Sequence, residues 1–481
     1  MEIIVNEESL SFKALEQKVY SYICEMGREI TRVILEDYDQ SIADQRDKKL
    51  YRDKGYRTTT IKTIYGEVSY HRRVYQTKLA EGRRAYVYLL DKALHMDKIG
   101  LISTNLAEKI TLTATEASYR DTAETISNTC GQSISHTGVW NLVQELGERI
   151  KAEETYDVKK MEAGKAEGIE SIPVLFEEMD GIWLTMQGND HKREKKQELK
   201  IATMYEGWEN GQRNIIHREL VNKKVFAGME KSKEFHAKRE AMVEKRYALD
   251  GIGQRILNGD GGTWVQEPYD SETIFQLDRY HIYQAILRGI ADKTVQHTLR
   301  RLLEEKKIKE MLTVLQEYIN RLESQGDMDE RSQKARELYS YLYSNREGLL
   351  PWQERGLSIP SASPGIIYKN MGIQESQNCT VITLRMKHRR ARWSVEGANH
   401  LAKVLYRKAN QELSETIERY TDGGIYSKEI IEEVKTRLRA KRVPAKDGKG
   451  SAYIDRIQCH LPMLDVAQTG SRKCFKAAFY D

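Results

Sequence analysis

A chain of 481 residues exceeds one ordinary hydrophobic core and implies two or three domains. Charged residues make up 31% and apolar residues 40%, the composition of a globular chain with a well-hydrated surface, and no stretch approaches the roughly 20 apolar residues of a membrane span. Early acids (Glu2, Glu7, Glu8) stand where a secretory signal is basic, and the scattered Cys24, Cys130, Cys379, Cys459 and Cys474 form no C-x-x-C pair, so a reduced cytoplasmic chain without zinc ribbon or disulfide framework is expected.

Residues 1–45 read as helix, because Leu15, Val19, Tyr22, Ile23, Met26, Ile30, Val33 and Ile34 recur at three-to-four spacing. Residues 56–75 alternate β-branched and aromatic residues around Gly66, which predicts a hairpin turning at 65–67. Arg72 and Arg73 sit among its tyrosines and suit a DNA-contacting ribbon as well as an ordinary exposed sheet. Within 101–155, segments 122–131 and 133–143 read as a helix-turn-helix, with Gly131 in the turn and Ser135 or Thr137 as cap. Charged residues 151–170 read as a linker or an exposed helix.

An α/β pattern follows over 170–290. Residues 172–180 predict a strand ending in Asp180, 181–186 its hairpin partner, and 197–205 a third strand. A charged helix at 229–249 leads to strands at 255–260 and 273–277, the order of a ribonuclease H-like core. Leu302, Leu303, Met311, Leu312, Leu315, Tyr318 and Ile319 place an all-helical insertion at 291–360. The core resumes over 361–420, and 421–481 is a basic tail. The fold class expected is therefore multidomain α+β, with helical and hairpin regions (1–100) and a DNA-binding region (101–155) before the interrupted core.

Net charge is only +5, from 77 basic and 72 acidic residues, so distribution matters more than total. Arg385, Lys387, His388, Arg389, Arg390 and Arg392 crowd eight positions, and Lys435, Arg437, Arg439, Lys441, Arg442, Lys446 and Lys449 form a second cluster. Such density neutralises phosphates, although a run of charge is more often a solvated face.

Two acids share one setting. Asp180, in Glu178-Met-Asp180-Gly-Ile-Trp183, and Asp260, in Asn258-Gly-Asp260-Gly-Gly-Thr-Trp264, each follow an apolar strand and precede glycine. Taken singly, Asp-Gly marks a turn. Taken together, two strand-end acids repel each other unless divalent cations relieve them, and a pair of cations roughly 3.5–4 Å apart supports in-line displacement at phosphorus. Mg²⁺ (or Mn²⁺) suits carboxylate, water and phosphate ligands. A third ligand is expected after the insertion, from Glu375 or from Glu396. Each has an asparagine three residues on, Asn378 or Asn399, and so on one helical face.

These residues resemble the ISLre-group transposases of bacterial insertion sequences and, more distantly, the Mutator-like transposases. The resemblance rests on Glu375-Ser-Gln-Asn378, Arg385-Met-Lys387, Trp393-Ser-Val-Glu-Gly397-Ala398, Asp278-Arg-Tyr-His281 and the hairpin residues 63–75, and it covers roughly residues 50–410. It implies a catalytic, metal-binding triad of Asp180, Asp260 and Glu375, since in that group the position of Glu396 need not be acidic. It makes His281, Asp278 and Asn378 accessory residues, His281 ordering the site or meeting the scissile strand. Gln374 departs from the pattern, where an apolar residue is usual. The implied partner is double-stranded DNA, both transposon ends and target, bound by Arg385, Lys387, Arg389, Arg390, Arg392, Arg72 and Arg73. The implied assembly is a homodimer or larger, cytoplasmic and nucleoid-associated, with no membrane. A nuclease without strand transfer and a catalytically idle DNA-binding regulator are the alternatives.

Overall fold

The computed structural model describes residues 11–78, 83–94, 102–210, 219–267, 269, 271–324 and 330–421. The basic cluster at 435–449 lies outside the described residues, as do Cys459, Cys474 and the Arg389 side chain. The architecture is mixed α+β and multidomain. Two compact units form, one of residues through Arg149 with those from Leu413 onward, the other Ile150–Glu412. Among the described residues no helix is long and apolar enough to cross a membrane.

The first unit begins with α1 (Phe12–Gln45), whose first turn is capped by the Ser11 hydroxyl. Its apolar stripe is less buried than its spacing suggests: Ile23, Met26, Ile30 and Ile34 are exposed, while Cys24, Leu35, Asp39 and Ala43 face inward. The helix lies on a hairpin of β1 (Arg52–Thr63) and β2 (Gly66–Lys78), extended by β3 (Arg84–Val87). The turn falls at Ile64-Tyr65, next to the expected glycine, with Gly66 at φ +120°. After α2 (Leu89–Ala93) come α3 (Thr104–Glu116), α4 (Tyr119–Thr129) and α5 (His136–Glu162). Ser135 is the residue that caps α5, its hydroxyl accepting the Gly138 N–H at 3.1 Å. The segment 151–170, read as linker or exposed helix, is helix to Glu162, and Ala152 on it is fully buried. Gly131 donates its N–H to the Ile64 carbonyl, and a Cβ there would stand 2.8 Å from the Tyr65 backbone. Only glycine lets the α4–α5 corner seat the hairpin turn.

In the second unit the long strand β4 (Glu170–Thr185) corrects one expectation: residues 172–185 are one strand, not a hairpin. Gly181 is extended rather than turned, and its missing Cβ leaves room for the Glu198 carboxylate. The chain reverses instead around α6 (Gly188–Arg193) into β5 (Lys196–Tyr205). Short strands β6 (Gly207–Glu209) and β7 (Leu220–Val221) precede β8 (Lys224–Gly228), α7 (Ser232–Glu244) and β9 (Tyr247–Gly259). Then follow α8 (Thr263–Gln266) and β10 (Ile274–Leu277). The main sheet has the order β10-β9-β4-β5-β8; β4, β9 and β10 run parallel, and β5 is antiparallel to both its neighbours.

Helices α9 (Arg279–Gly289), α10 (Lys293–Glu304), α11 (Ile308–Ser324) and α12 (Glu330–Ser344) share their own core around Leu299, Leu303, Met311, Leu315 and Leu342. Helices α10–α12 of this block fall within 291–360, where an all-helical insertion was expected, and α9 precedes it. Strand β11 (Ile366–Ile367) pairs with β6. The chain then forms α13 (Gln374–Gln377), a π-helical turn at Asn378–Thr383, α14 (Leu384–Met386) and α15 (Val395–Ala409); α16 (Leu413–Thr421) belongs to the first unit.

Behind the sheet a buried ion network holds α15. The Lys403 ammonium, wholly inaccessible, lies 2.8 Å from Glu230, 3.0 Å from Glu154 and 3.1 Å from the Ala227 carbonyl. Lys238 of α7 shares both carboxylates. Burial alone would raise the Glu230 carboxyl, but Lys403 and Lys238 outweigh it and hold it down at about 2.

A carboxyl depressed in the folded state contributes stability that is full above its ordinary 4.5 and lost as pH falls toward 2. The urea midpoint of the wild type should therefore decline below pH 4.5. Glu230→Gln leaves two buried lysines short of a counter-charge and should cost about 3–5 kcal/mol at pH 7. Its midpoint should also change less over the acid window; parallel curves for the two proteins would refute the assignment. In the first unit, Gly131→Ala should destabilise by about 1–3 kcal/mol through overpacking, read by thermal unfolding.

Candidate active site

Parallel pairing of β4 with β9 sets Glu178 beside Asn258 and Met179 beside Gly259, so the next step along each strand brings Asp180 alongside Asp260. Side chains alternate across a strand. Phe176, Glu178 and Asp180 therefore share one face, a row that passes from apolar to polar toward the strand ends. At its apolar end Phe176 meets the rings of Tyr205, Trp208, Trp352 and Tyr368 at 5.1–5.9 Å.

The middle of the row is a layer of buried hydrogen bonds. Glu178 accepts the Tyr205 hydroxyl at 2.6 Å, the Asn258 amide at 2.9 Å, and the backbone N–H groups of Gly372, Ile373 and Gln374 at 3.0–3.4 Å. Burial pushes its carboxyl above the ordinary range, while Tyr205, Gly372, Ile373 and Asn258 pull the other way. Asn258 also donates to Asp278 at 2.9 Å and accepts from Gln276 at 3.2 Å. The layer thus crosses four strands and fastens the start of α13 to β4.

Around Asp180, the Asn378 amide donates to Oδ2 at 2.5 Å and the Gly181 N–H to Oδ1 at 2.7 Å. His281 Nε2 stands 3.5 Å from Oδ1. Burial works against a charged His281, but the bond to Asp180 and the charges of Asp180, Asp278 and Asp260 prevail and raise it. Asp278 caps α9, accepting the N–H groups of Tyr280 and His281, which sets His281 toward the site. Burial raises Asp260, and the nearby Asp180 charge raises it further, against the Gly262 N–H and His281.

Glu375 stands apart from this shell. Residues Glu375 and Asn378 were expected on one face; instead Gln374 and Asn378 face inward, joined by a 2.8 Å bond, and Glu375 is exposed. The i, i+4 pair is the one the helix presents because its first N–H groups are fixed on Glu178. Among the described residues the Glu375 carboxylate has no hydrogen-bond or ion-pair partner. The ligand atoms of Asp180, Asp260 and Glu375 do not all lie within 4.8 Å of one another. Glu396 is also exposed, at the start of α15, while its companion Asn399 bonds Met229 N at 2.9 Å.

Several residues with a part in this geometry escaped sequence reasoning. Glu198, on β5, is raised by burial and also by the charges of Asp260 and Asp180, which makes it a third carboxylate of the neighbourhood. Tyr341 of α12 donates to the Asp260 carbonyl at 2.8 Å, and Asn345 holds Gln266 at 3.0 Å, so the helical block braces the Asp260 loop. His236 Nε2 lies 2.6 Å from the Trp264 carbonyl; burial first, then Arg239, lowers it to about 4, and the neutral ring donates there. A signal did exist for Glu178 and Asn258: each stands two residues before an aspartate, hence on the same face.

Of the DNA-contact candidates, Lys387, Arg390 and Arg392 are exposed, and Arg385 lies over the Trp393 ring. Arg72 and Arg73 are mostly buried. Arg72 pairs with Asp91 and Arg73 with Asp39, so their charge is already used inside the first unit.

The Asp180 charge raises Asp260 and Glu198, a repulsion that a hard divalent cation would relieve. Asp180 and Asp260, with Glu198 nearby, have the chemistry to hold one, although the ligand atoms of these three do not all lie within 4.8 Å of one another either. Replacing Glu178 by glutamine sets an N–H₂ against backbone donors. Glu178→Gln should cost about 1–3 kcal/mol or more and expose residues 369–377 to limited proteolysis; a digestion pattern and urea midpoint equal to wild type would refute the anchoring role.

Comparison with known proteins covers nearly the whole chain. A UPF0236 protein of Caldanaerobacter subterraneus subsp. tengcongensis, named after eleven loci, is 24% identical over 451 residues, 90% of this chain and 88% of that protein. A UPF0236 protein in the vanSb 3′ region of Streptococcus gallolyticus is 24% identical over 413 residues, 82% of this chain and 84% of its own. The model of the uncharacterised protein family UPF0236 matches residues 5–419, and the chain belongs to that family.

Proposed function

We propose that this chain is a DNA transposase of a bacterial insertion sequence, with a ribonuclease H-like core and an Asp180, Asp260 and Glu375 triad. The observation that carries the reading is the placing of Asp180 on β4 next to Asp260, one residue beyond the end of the parallel neighbour β9, with His281 and Asn378 directed onto Asp180. The sheet order, three antiparallel strands followed by two parallel ones, supports a ribonuclease H-like core. The motifs shared with ISLre-group transposases support it independently. A relative named after eleven loci is what an element that copies itself would leave behind.

The chemistry follows from the acids. Mg²⁺ or Mn²⁺, when bound, supplies positive charge to the attacking and leaving oxygens of an in-line displacement. In cleavage, water oxygen bonds to phosphorus as the bond to the departing 3′-oxygen breaks. In strand transfer, the freed 3′-hydroxyl oxygen bonds to a target phosphorus as that phosphorus loses its bond to the target strand's own 3′-oxygen, which leaves as a hydroxyl with the proton the attacking group gives up. Asn378 and the Gly181 N–H orient Asp180, and His281, raised by the acids around it, would balance its charge when protonated. The β1–β2 hairpin and the α4–α5 pair, a helix-turn-helix in this reading, would recognise terminal inverted repeats. The partner is double-stranded DNA at transposon ends and target, the assembly a homodimer or larger, and the location cytoplasmic and nucleoid-associated.

The exposed Glu375 gives specific weight to a second reading, a catalytically idle DNA-binding regulator. Cleavage of DNA carrying the element's own ends, with Mg²⁺, decides between them. Asp260→Asn should lose roughly a thousandfold or more, Glu375→Gln should fall comparably, and Glu396→Gln should cut normally. Glu198→Gln serves as a further arm: its loss with Glu375→Gln active would move the third ligand to β5. Wild type that binds the ends and never cuts would establish the regulator; cutting without joining of pre-cleaved ends would establish a nuclease.

A further inference from the structure

The β4–β5 reversal carries a basic surface that sequence order separates from the arginine cluster and folding unites with it. Trp393 runs beside the end of β4: its N–H donates to the Thr185 carbonyl at 3.1 Å, and its carbonyl accepts the Gln187 N–H at 2.8 Å. Asp190 of α6 accepts the Val395 N–H at 2.9 Å, closing the same junction. Lys192, Arg193, Lys195 and Lys196 on the reversal are exposed, as are Lys387, Arg390 and Arg392 before Trp393. Among the described residues none of these seven side chains forms an ion pair or hydrogen bond. Elsewhere in this unit the cations of Lys238, Arg239, Lys403 and Arg407 are all matched by carboxylates. The acids within the reversal, Asp190 and Glu194, are fewer than its four cations, and Asp190 is already bonded.

We infer that the β4–β5 reversal and the 387–392 segment form one strip that binds the phosphate backbone of duplex DNA beside the proposed active site. The inference rests on the transposase reading and adds to it Lys192, Arg193, Lys195 and Lys196. Unmatched cations held on a backbone-fixed junction favour a polyanion, because each phosphate they neutralise releases condensed counterions. Their position sets the register. Thr185 is five residues along β4 from Asp180, about 17 Å at strand rise, which corresponds to about five base pairs of duplex at 3.4 Å each. The strip therefore meets phosphates about five base pairs from the scissile bond, where contacts position the duplex without reading its sequence.

The test uses full-length protein bearing Asp260→Asn, so that binding is measured without cutting, and a duplex carrying the element's end. Affinity is followed from 50 to 200 mM salt. Replacing Lys192, Arg193, Lys195 and Lys196 by alanine should lower the salt slope by about 3–4, at about 0.9 per lost phosphate contact. Affinity at the lower salt should weaken at least tenfold, with the melting temperature unchanged. Arg390→Ala with Arg392→Ala should lower the slope by up to about 2. Ethylation interference should disappear at the phosphates about five base pairs from the cut. A parent that binds the end while the four-site variant keeps its slope and footprint overturns the strip and leaves the transposase reading standing. A parent that binds no DNA overturns both.

Discussion

A carboxylate removed from water costs several kcal/mol unless donors meet its lone pairs, and Glu178 meets that demand with parts of the chain that sequence keeps far apart. Three of its donors are the backbone N–H groups at the start of α13, groups that no turn of that helix can satisfy. Others come from β5 and β9, through Tyr205 and Asn258. The anchor lies two residues from Asp180 on the same strand, so whatever fixes Glu178 also fixes the distance from Asp180 to α13. Asn378 then bonds Asp180 because the helix that carries it cannot turn away.

The same logic extends across the sheet. Asn258 divides its amide between Glu178 and Asp278, and Asp278 caps the helix that aims His281 at Asp180. One asparagine thereby couples the positions of α13 and α9. On the Asp260 side the loop leaves the sheet, and its support comes from helices: Tyr341 on the Asp260 carbonyl, Asn345 on Gln266, His236 on Trp264. The helical block is therefore part of the framework around the second aspartate. Buried groups held this way lose little further freedom when a ligand arrives, which is the physical content of preorganisation.

Much of this was legible in the sequence, and the parts that were not share a cause. Periodicity gave α1, the first hairpin, strands β5, β9 and β10 and the helical block, because each follows from the local spacing of apolar residues; it split β4 in two at Gly181 and passed over β8. The pairing of Asp180 with Asp260 was visible as two similar acid–glycine settings. The reading of Gly181 as a turn failed because a glycine can serve sideways clearance, here for Glu198, as readily as a reversal. The stripe on α1 was visible, but which of its residues are covered depends on the neighbouring strands. Arg72 and Arg73 looked available because their partners Asp91 and Asp39 lie 19 and 34 positions away. Glu375 was placed on the face of Asn378 by spacing alone. The start of α13 is set by Glu178, and that constraint is nonlocal.

Consider what the fixed frame demands of the third acid. About 100° separates successive residues of a helix, so with Gln374 and Asn378 facing inward Glu375 points outward. Turning α13 to bring it in would break the bonds to Glu178 and Asp180 that define the site. In the proposed reading the carboxylate must therefore approach from the open side, by its own rotamers and the π-helical turn that follows it. That arrangement has an electrostatic merit. Asp180 already raises Asp260 and Glu198, and a further buried carboxylate would deepen the repulsion. A carboxylate left on the open side adds nothing to that repulsion, and in the proposed reading cations and phosphate would supply the opposing charge for its approach.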